Sequence, residues 1–199
     1  SMLPQARAVW LDASDQVGNA SSLHTSGRAA RRVVESSRES IAEDLGIRAS
    51  AVIFTGGGTE SDNLAIKGMY WARCEQLEKQ SLTIVTSGIE HHAVLDPVLW
   101  LREHEGADVR FVDADAHGRV NPRDIESALE AGDVALVSIM WANNEIGAIQ
   151  PVDEIALICR KFDVPFHTDA VQALGQLPLD LRDLDAAAVT LSSHKIGGP

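Results

Sequence analysis

Lys195 stands in "SSHKIGG", at the exit of the apolar run Ala187-Ala188-Val189-Thr190-Leu191. A lysine at such a place is usually a solvated charge. Held in an enclosed site, it has a lowered pKa and can act as a Schiff-base amine. Asp169 follows another apolar run, in "VPFHTDAVQALGQ". A carboxylate buried there needs a cation or several donors. It serves either to cap the following turn or to hold a protonated ring nitrogen, and Gln172 lies one turn further on. "SGIEHHAVLDPV" offers His91 and His92 at a third junction. Neither has an acidic or cysteine partner at metal spacing, so no metal site is expected. A flat imidazole can instead stack on an aromatic ring, or simply cap a helix. "FTGGGTESDNLAIKG" is a glycine-rich turn between an apolar run and a helix. Such a turn presents backbone N–H groups and the positive end of a helix dipole to a phosphate. It is neither a Walker motif nor a dinucleotide fingerprint, and taken alone it reads equally well as a tight turn. "WANNEIGAIQP" places Asn143 and Asn144 at the end of a further apolar run, where loop formation is the ordinary reading.

Each segment alone favours its ordinary reading. Together they supply phosphate donors, a carboxylate, amides, a stacking ring and an amine. That inventory matches pyridoxal phosphate, which needs a Schiff-base lysine and an acidic partner for its pyridinium nitrogen.

These residues need a scaffold that brings strand exits together. "TSGRAARRVVESSRESIAEDLG" is a helix signal: Thr25 or Ser26 can cap it, Ala30, Val34, Ile41 and Leu45 recur on one face, and Gly46 ends it. "AVIFT", "LTIVTS", "VRFVD", "VALVSIM", "VPFHTD" and "AAVTLS" read as strands. Helices follow the glycine turn and begin again near His92, Pro122 and Pro151, the last two with proline in the first turn. Strands that are apolar almost throughout fit a mainly parallel sheet buried on both faces. The expectation is one three-layer α/β/α domain over residues 1–199. In such sheets ligands sit beyond the carboxyl ends of the strands, where every candidate above falls.

Composition agrees with a globular domain: 45% of the 199 residues are apolar and 23% charged. The net charge of −12 argues against nucleic-acid binding. No stretch reaches membrane-span length and no secretory leader is visible. Cys74 and Cys159 show no metal or redox spacing, so a reducing cytoplasm is expected.

The chain resembles the cysteine desulfurases, pyridoxal-phosphate enzymes of fold type I within the class-V aminotransferases. The resemblance rests on "GNASSLHTSGRAAR", "IFTGGGTESDNLAIKG", "EHHAVLD", "VSIMWANNEIGAIQP", "HTDAVQALGQLPLDL" and "SSHKIGGP", in that order from Gly18 onward. It implies the large domain of that fold. It implies Lys195 as the lysine that forms the internal aldimine, Asp169 against the ring nitrogen, and His91 stacked on the ring and assisting proton transfer. Asn144 and Gln172 fall near the ring hydroxyl, and Gly58, Thr59, Ser192 and His194 form the phosphate-binding set. The implied reaction takes L-cysteine to L-alanine and passes a persulfide sulfur to acceptor or scaffold proteins of iron–sulfur assembly or to thiolation, in a homodimer with no direct nucleic-acid or membrane contact.

The departures matter too. The segment joining the strand "VWLD" to "GNASSLH" is shorter than in the family, near residues 13–18. The family's small C-terminal domain, substrate-binding arginine and nucleophilic cysteine loop have no counterpart in these residues. The 199 residues alone are therefore expected to be inactive. A selenocysteine lyase or another class-V lyase shares the same cofactor residues. A non-catalytic module that binds cofactor or a partner subunit is the reading of a different class.

Overall fold

Thr83–Ser87 (β1) and Val134–Ser138 (β3) are buried at every position, as expected of strands covered on both faces. The computed structural model describes residues 2–199. Asp108–Val112 (β2), Phe166–Asp169 (β4) and Ala188–Thr190 (β5) complete one sheet in the order β2-β1-β3-β4-β5. All its pairings are parallel. The apolar runs between residues 82 and 192 thus form strands where the sequence places them.

Parallel neighbours need crossovers. Four helices of this region frame the sheet: Gly58–Gln76 (α3), His92–Glu105 (α4), Pro122–Glu130 (α5) and Val152–Lys161 (α6). The core divides accordingly. Ile66, Tyr70, Val94, Val98 and Leu101 of α3 and α4 pack with Ile84 and Leu136 on one face. Ile125, Leu129, Ile155, Ala156 and Cys159 of α5 and α6 pack with Val85, Val137 and Phe166 on the other. From β1 the chain moves outward to β2 and then returns past β1 to β3. The β1/β3 boundary is therefore the point where winding reverses, the usual place for a ligand crevice in such sheets.

The chain divides into two compact units. The sheet and α3–α6 lie in the larger, Thr55–Leu177 with Leu184–Ser192. The smaller takes the N-terminal stretch through Phe54, Pro178–Asp183 and Ser193–Pro199. It contains Pro4–Ser14 (α1) and Thr25–Leu45 (α2), and α2 ends as expected at Gly46 in the left-handed region (φ 72°). A Cβ at Gly46 would meet Arg182 Cγ at 2.5 Å, so glycine is required there for space as well as for φ. Its N-cap is His24, with no side-chain cap bond, rather than Thr25 or Ser26.

Two expected strands do not form. "VWLD" lies inside α1, which Pro4 opens in its first turn. "AVIFT" begins in a single 3₁₀ turn, Ala49–Ala51, and continues unpaired. Its polar and aromatic groups are served by a helix instead: Arg38 donates to the Val52 carbonyl and lies 4.9 Å over the Phe54 ring. An apolar run specifies a strand only if a ladder partner is at hand, and Ile53 and Phe54 are exposed here. Among the described residues no helix is long and apolar enough to cross a membrane.

Candidate active site

Within the larger unit, the exits of β1, β3, β4 and β5 and the N-terminus of α3 carry the expected side chains. Asp169 ends β4 and is buried. Its Oδ1 accepts from Val171 N–H at 2.9 Å, so the turn-capping reading holds for one oxygen. Its carbonyl accepts from Trp141 N–H at 2.8 Å, which ties the exits of β4 and β3 together. Burial, followed by the negative charge of Asp62, pushes the Asp169 carboxyl up from its usual range. The Val171 N–H and the nearby His167 and His91 pull the other way.

His91 is the N-cap of α4, its Nδ1 accepting from Ala93 N–H at 3.1 Å. That bond leaves Nε2 to carry the proton of the neutral ring. The ring is largely exposed, free to lie against a flat ligand. His92 is on the surface, 3.4 Å from Asp96.

At the N-terminus of α3 the cap position is Gly57, at φ 151°, with no side-chain cap bond. A Cβ built on Gly58 would lie 3.2 Å from Val171 Cγ2 and 3.7 Å from Ser192 Cβ. The helix start, the turn after β4 and the exit of β5 therefore converge, and only glycine leaves that approach open. Thr59 is exposed in the first turn, and Ser192 is buried. Asn144 is exposed in the loop after β3. That loop is shaped by its neighbour: Asn143 Oδ1 accepts from Glu145 and Ile146 N–H, and its amide donates to the Ile89 carbonyl at 3.0 Å. Gln172 is half-buried in the turn after Asp169.

In the smaller unit, His194 and Lys195 lie in the 3₁₀ turn Ser193–Lys195 with both side chains exposed. Ile196 and Gly198 N–H close that turn on the Ser193 carbonyl, and Leu3 N–H bonds the Gly197 carbonyl at 2.8 Å.

These residues fit the cofactor. An uncapped helix N-terminus meets a space that a Cβ would fill, which suits a phosphate. A buried carboxylate at the next strand exit lies near other acids and suits a cationic ring.

The profile of the family described as aminotransferase class-V matches residues 8–199. The chain belongs to the class-V aminotransferases. It is 53% identical over 199 residues to an IscS-like cysteine desulfurase of Mycobacterium tuberculosis, covering 100% of this chain and 50% of that protein. It is 43% identical over 185 residues to the cysteine desulfurase IscS of Dictyoglomus turgidum, covering 93% of this chain and 45% of that one. A solved structure of SspA in complex with cysteine matches all of this chain and 56% of its own, at 34% identity and a TM-score of 0.89. A NifS-like protein matches at 35% identity and a TM-score of 0.88, over 100% of this chain and 53% of its own. The chain spans about half the length of the curated relatives it matches.

Two features of this class-V chain were not singled out in the sequence. Glu90, next to His91, turns inward: its Oε1 accepts from Ser87 Oγ at 2.6 Å and from Met140 N–H at 3.0 Å. It thereby ties the exits of β1 and β3. Burial pushes its carboxyl up to about 8, with Asp169 and Asp62 adding to the rise. The second feature is a buried group around His167, an imidazole inside the apolar run "VPFHTD". Asp62 on α3 faces it, from the same buried face of the helix as Ile66 and Tyr70.

The raised carboxyl makes stability depend on pH. Glu90 ionises at about 4.5 in the unfolded chain but near 8 in the fold. Between those values the folded state binds the extra proton, so stability falls as pH rises through this window. Glu90→Gln keeps both acceptor contacts without a charge. The Gln protein should melt at a temperature higher than wild type at pH 8.5, by roughly 2–4 °C for each kcal/mol relieved, with the difference shrinking toward pH 5. Equal melting temperatures across that range would show that Glu90 carries no such penalty.

Among the described residues no group of three or more histidine, cysteine or acidic side chains is arranged to hold a metal ion.

Proposed function

We propose that this chain is the cofactor-binding part of a pyridoxal-phosphate enzyme that takes sulfur from L-cysteine. L-Alanine is released and a persulfide sulfur goes on to an acceptor protein, in iron–sulfur assembly or thiolation. The observation that carries the reading is Asp169. It is a buried carboxylate at a strand exit, pushed up by its own burial and by Asp62, and a cationic ring nitrogen is the partner it lacks. The similarity to curated cysteine desulfurases supports the choice of substrate.

When bound, the cofactor's ring absorbs the electrons released at the substrate's α-carbon. Asp169 holds the proton on the ring nitrogen that makes this possible. Lys195 supplies the amine that anchors the cofactor. His91 would stack on the ring, its Nε2 available to hold or give a proton while Nδ1 remains committed to Ala93. Asn144 and Gln172 orient the ring hydroxyl. The N–H groups of Gly58 and Thr59, with Ser192 and His194, bind the phosphate. The thiol that takes the sulfur is not one of the two in this chain: Cys159 is fully buried with its thiol pushed up to about 12, and Cys74 packs half-buried beside the core. A homodimer in the cytoplasm belongs to the same reading. The exposed Val9, Trp10 and Leu11 of α1 support the dimer, since such an apolar cluster is normally covered.

The test is chemical. The protein incubated with pyridoxal phosphate is reduced with borohydride and its peptides are mapped. The label is expected on Lys195. Label on Lys67, Lys79 or Lys161 overturns the assignment.

A further inference from the structure

His167 and Asp169 are two residues apart on β4, so their side chains share one face of the sheet. That face is covered by α3 and α4. His167 is fully buried, and each ring nitrogen meets an oxygen. Nδ1 lies 2.9 Å from Ser138 Oγ on β3, and Nε2 lies 3.0 Å from Thr190 Oγ1 on β5. Nε2 is also 3.4 Å from Asp62 Oδ1 on α3. Asp62 is as deeply buried as the histidine, and its Oδ1 makes no hydrogen bond. The imidazole is thus the nearest group able to balance that oxygen's charge. Hydroxyls accept as well as donate, so this cage can take a proton on both ring nitrogens at once.

We propose that His167 is a positioning residue: as an imidazolium paired with Asp62 it cancels that charge and thereby sets how readily Asp169 ionises. A buried carboxylate left unbalanced on α3 would oppose a second negative charge at the end of β4. With the pair intact, Asp169 faces a neutral neighbour. The other groups facing Asp169 do not replace His167. Glu90, at the β1 exit, is acidic and adds only repulsion when ionised. His91, on α4, is exposed and committed through Nδ1. β3 and β5 offer hydroxyls, and α6, with Cys159, lies on the opposite face. The consequence for a bound cofactor rests on the reading of Asp169 given above. The charge relation among His167, Asp62 and Asp169 does not.

Nuclear magnetic resonance on the cofactor-free 199-residue chain tests the relation. Nitrogen shifts of His167 should show both ring nitrogens protonated at pH 7. Carboxyl-carbon titration should find the Asp169 pKa raised by about one unit or more in His167→Gln, a tenfold change in proton affinity. It should be lowered in Asp62→Asn and restored toward wild type in the double variant. A singly protonated ring at pH 7 overturns the proposal, as does an Asp169 pKa that stays put in Asp62→Asn. Both of these hold even if His167→Gln fails to fold. In the cofactor-loaded protein, His167→Gln should shift the pH at which the visible band titrates. An unmoved band beside intact resonance effects refutes the role given to Asp169 and leaves the charge relation standing.

Discussion

In a full-length protein carrying these residues, Asp169→Asn should cost on the order of 10²–10⁴ in turnover of L-cysteine, the range seen when a positioned proton-holding group is lost. Asparagine keeps the size of the side chain and can still accept from Val171 N–H, so the turn after β4 should survive. It cannot hold a proton on a ring nitrogen by charge. The expected signature is therefore a folded, cofactor-binding protein with a large loss in kcat and a small change in KM. Steady-state kinetics with alanine release as the readout distinguishes this from simple damage to binding. Near-normal kcat in the Asn protein would show that ring protonation does not depend on Asp169.

The largest effect on stability should come from Phe166→Ala. Phe166 starts β4 and is 1% exposed, packed among the side chains that α5 and α6 turn toward the sheet. Truncating a buried phenylalanine costs about 3–5 kcal/mol through lost transfer energy and the cavity left behind. That is a fifth or more of the stability of a typical domain, roughly 5–15 kcal/mol. Urea denaturation should show a lower midpoint with an unchanged slope. An unchanged midpoint would mean that the core on this side closes without Phe166. Because His167 and Asp169 follow on the same strand, the variant should also bind cofactor less well than its remaining folded fraction accounts for.

Much of this was legible in the chain, for physical reasons that can be named. β1 and β3 are apolar because both faces are covered, and α2 announces itself by its periodic apolar face and Gly46. The candidate residues were found because ligands gather at strand exits and because "SSHKIGG" and "HTDAVQ" put an amine and a carboxylate there. The buried pair was not legible. Asp62 reads as one more polar residue in "TESDN", and only packing shows that it faces inward toward His167. Glu90 was hidden beside His91, since nothing in "GIEHH" says which side chain turns into the sheet. "AVIFT" misled because composition reports hydrophobicity and not the presence of a ladder partner. "VWLD" was misread because four residues are too few to separate a strand from a helix that Pro4 opens.

The strand order has a consequence for how the crevice comes into being. β1 and β3 are neighbours in the sheet, but the chain between them first builds α4, β2 and α5. Closing so long a segment costs chain entropy before any contact across the boundary repays it. The bonds that define the crevice, Glu90 to Met140 and Trp141 to Asp169, each join residues far apart in sequence. Local helices can flicker into place early, whereas these ties wait until the sheet is paired. During synthesis the Glu90–Met140 tie can therefore form before β4 leaves the ribosome, whereas the Trp141–Asp169 tie must wait for it.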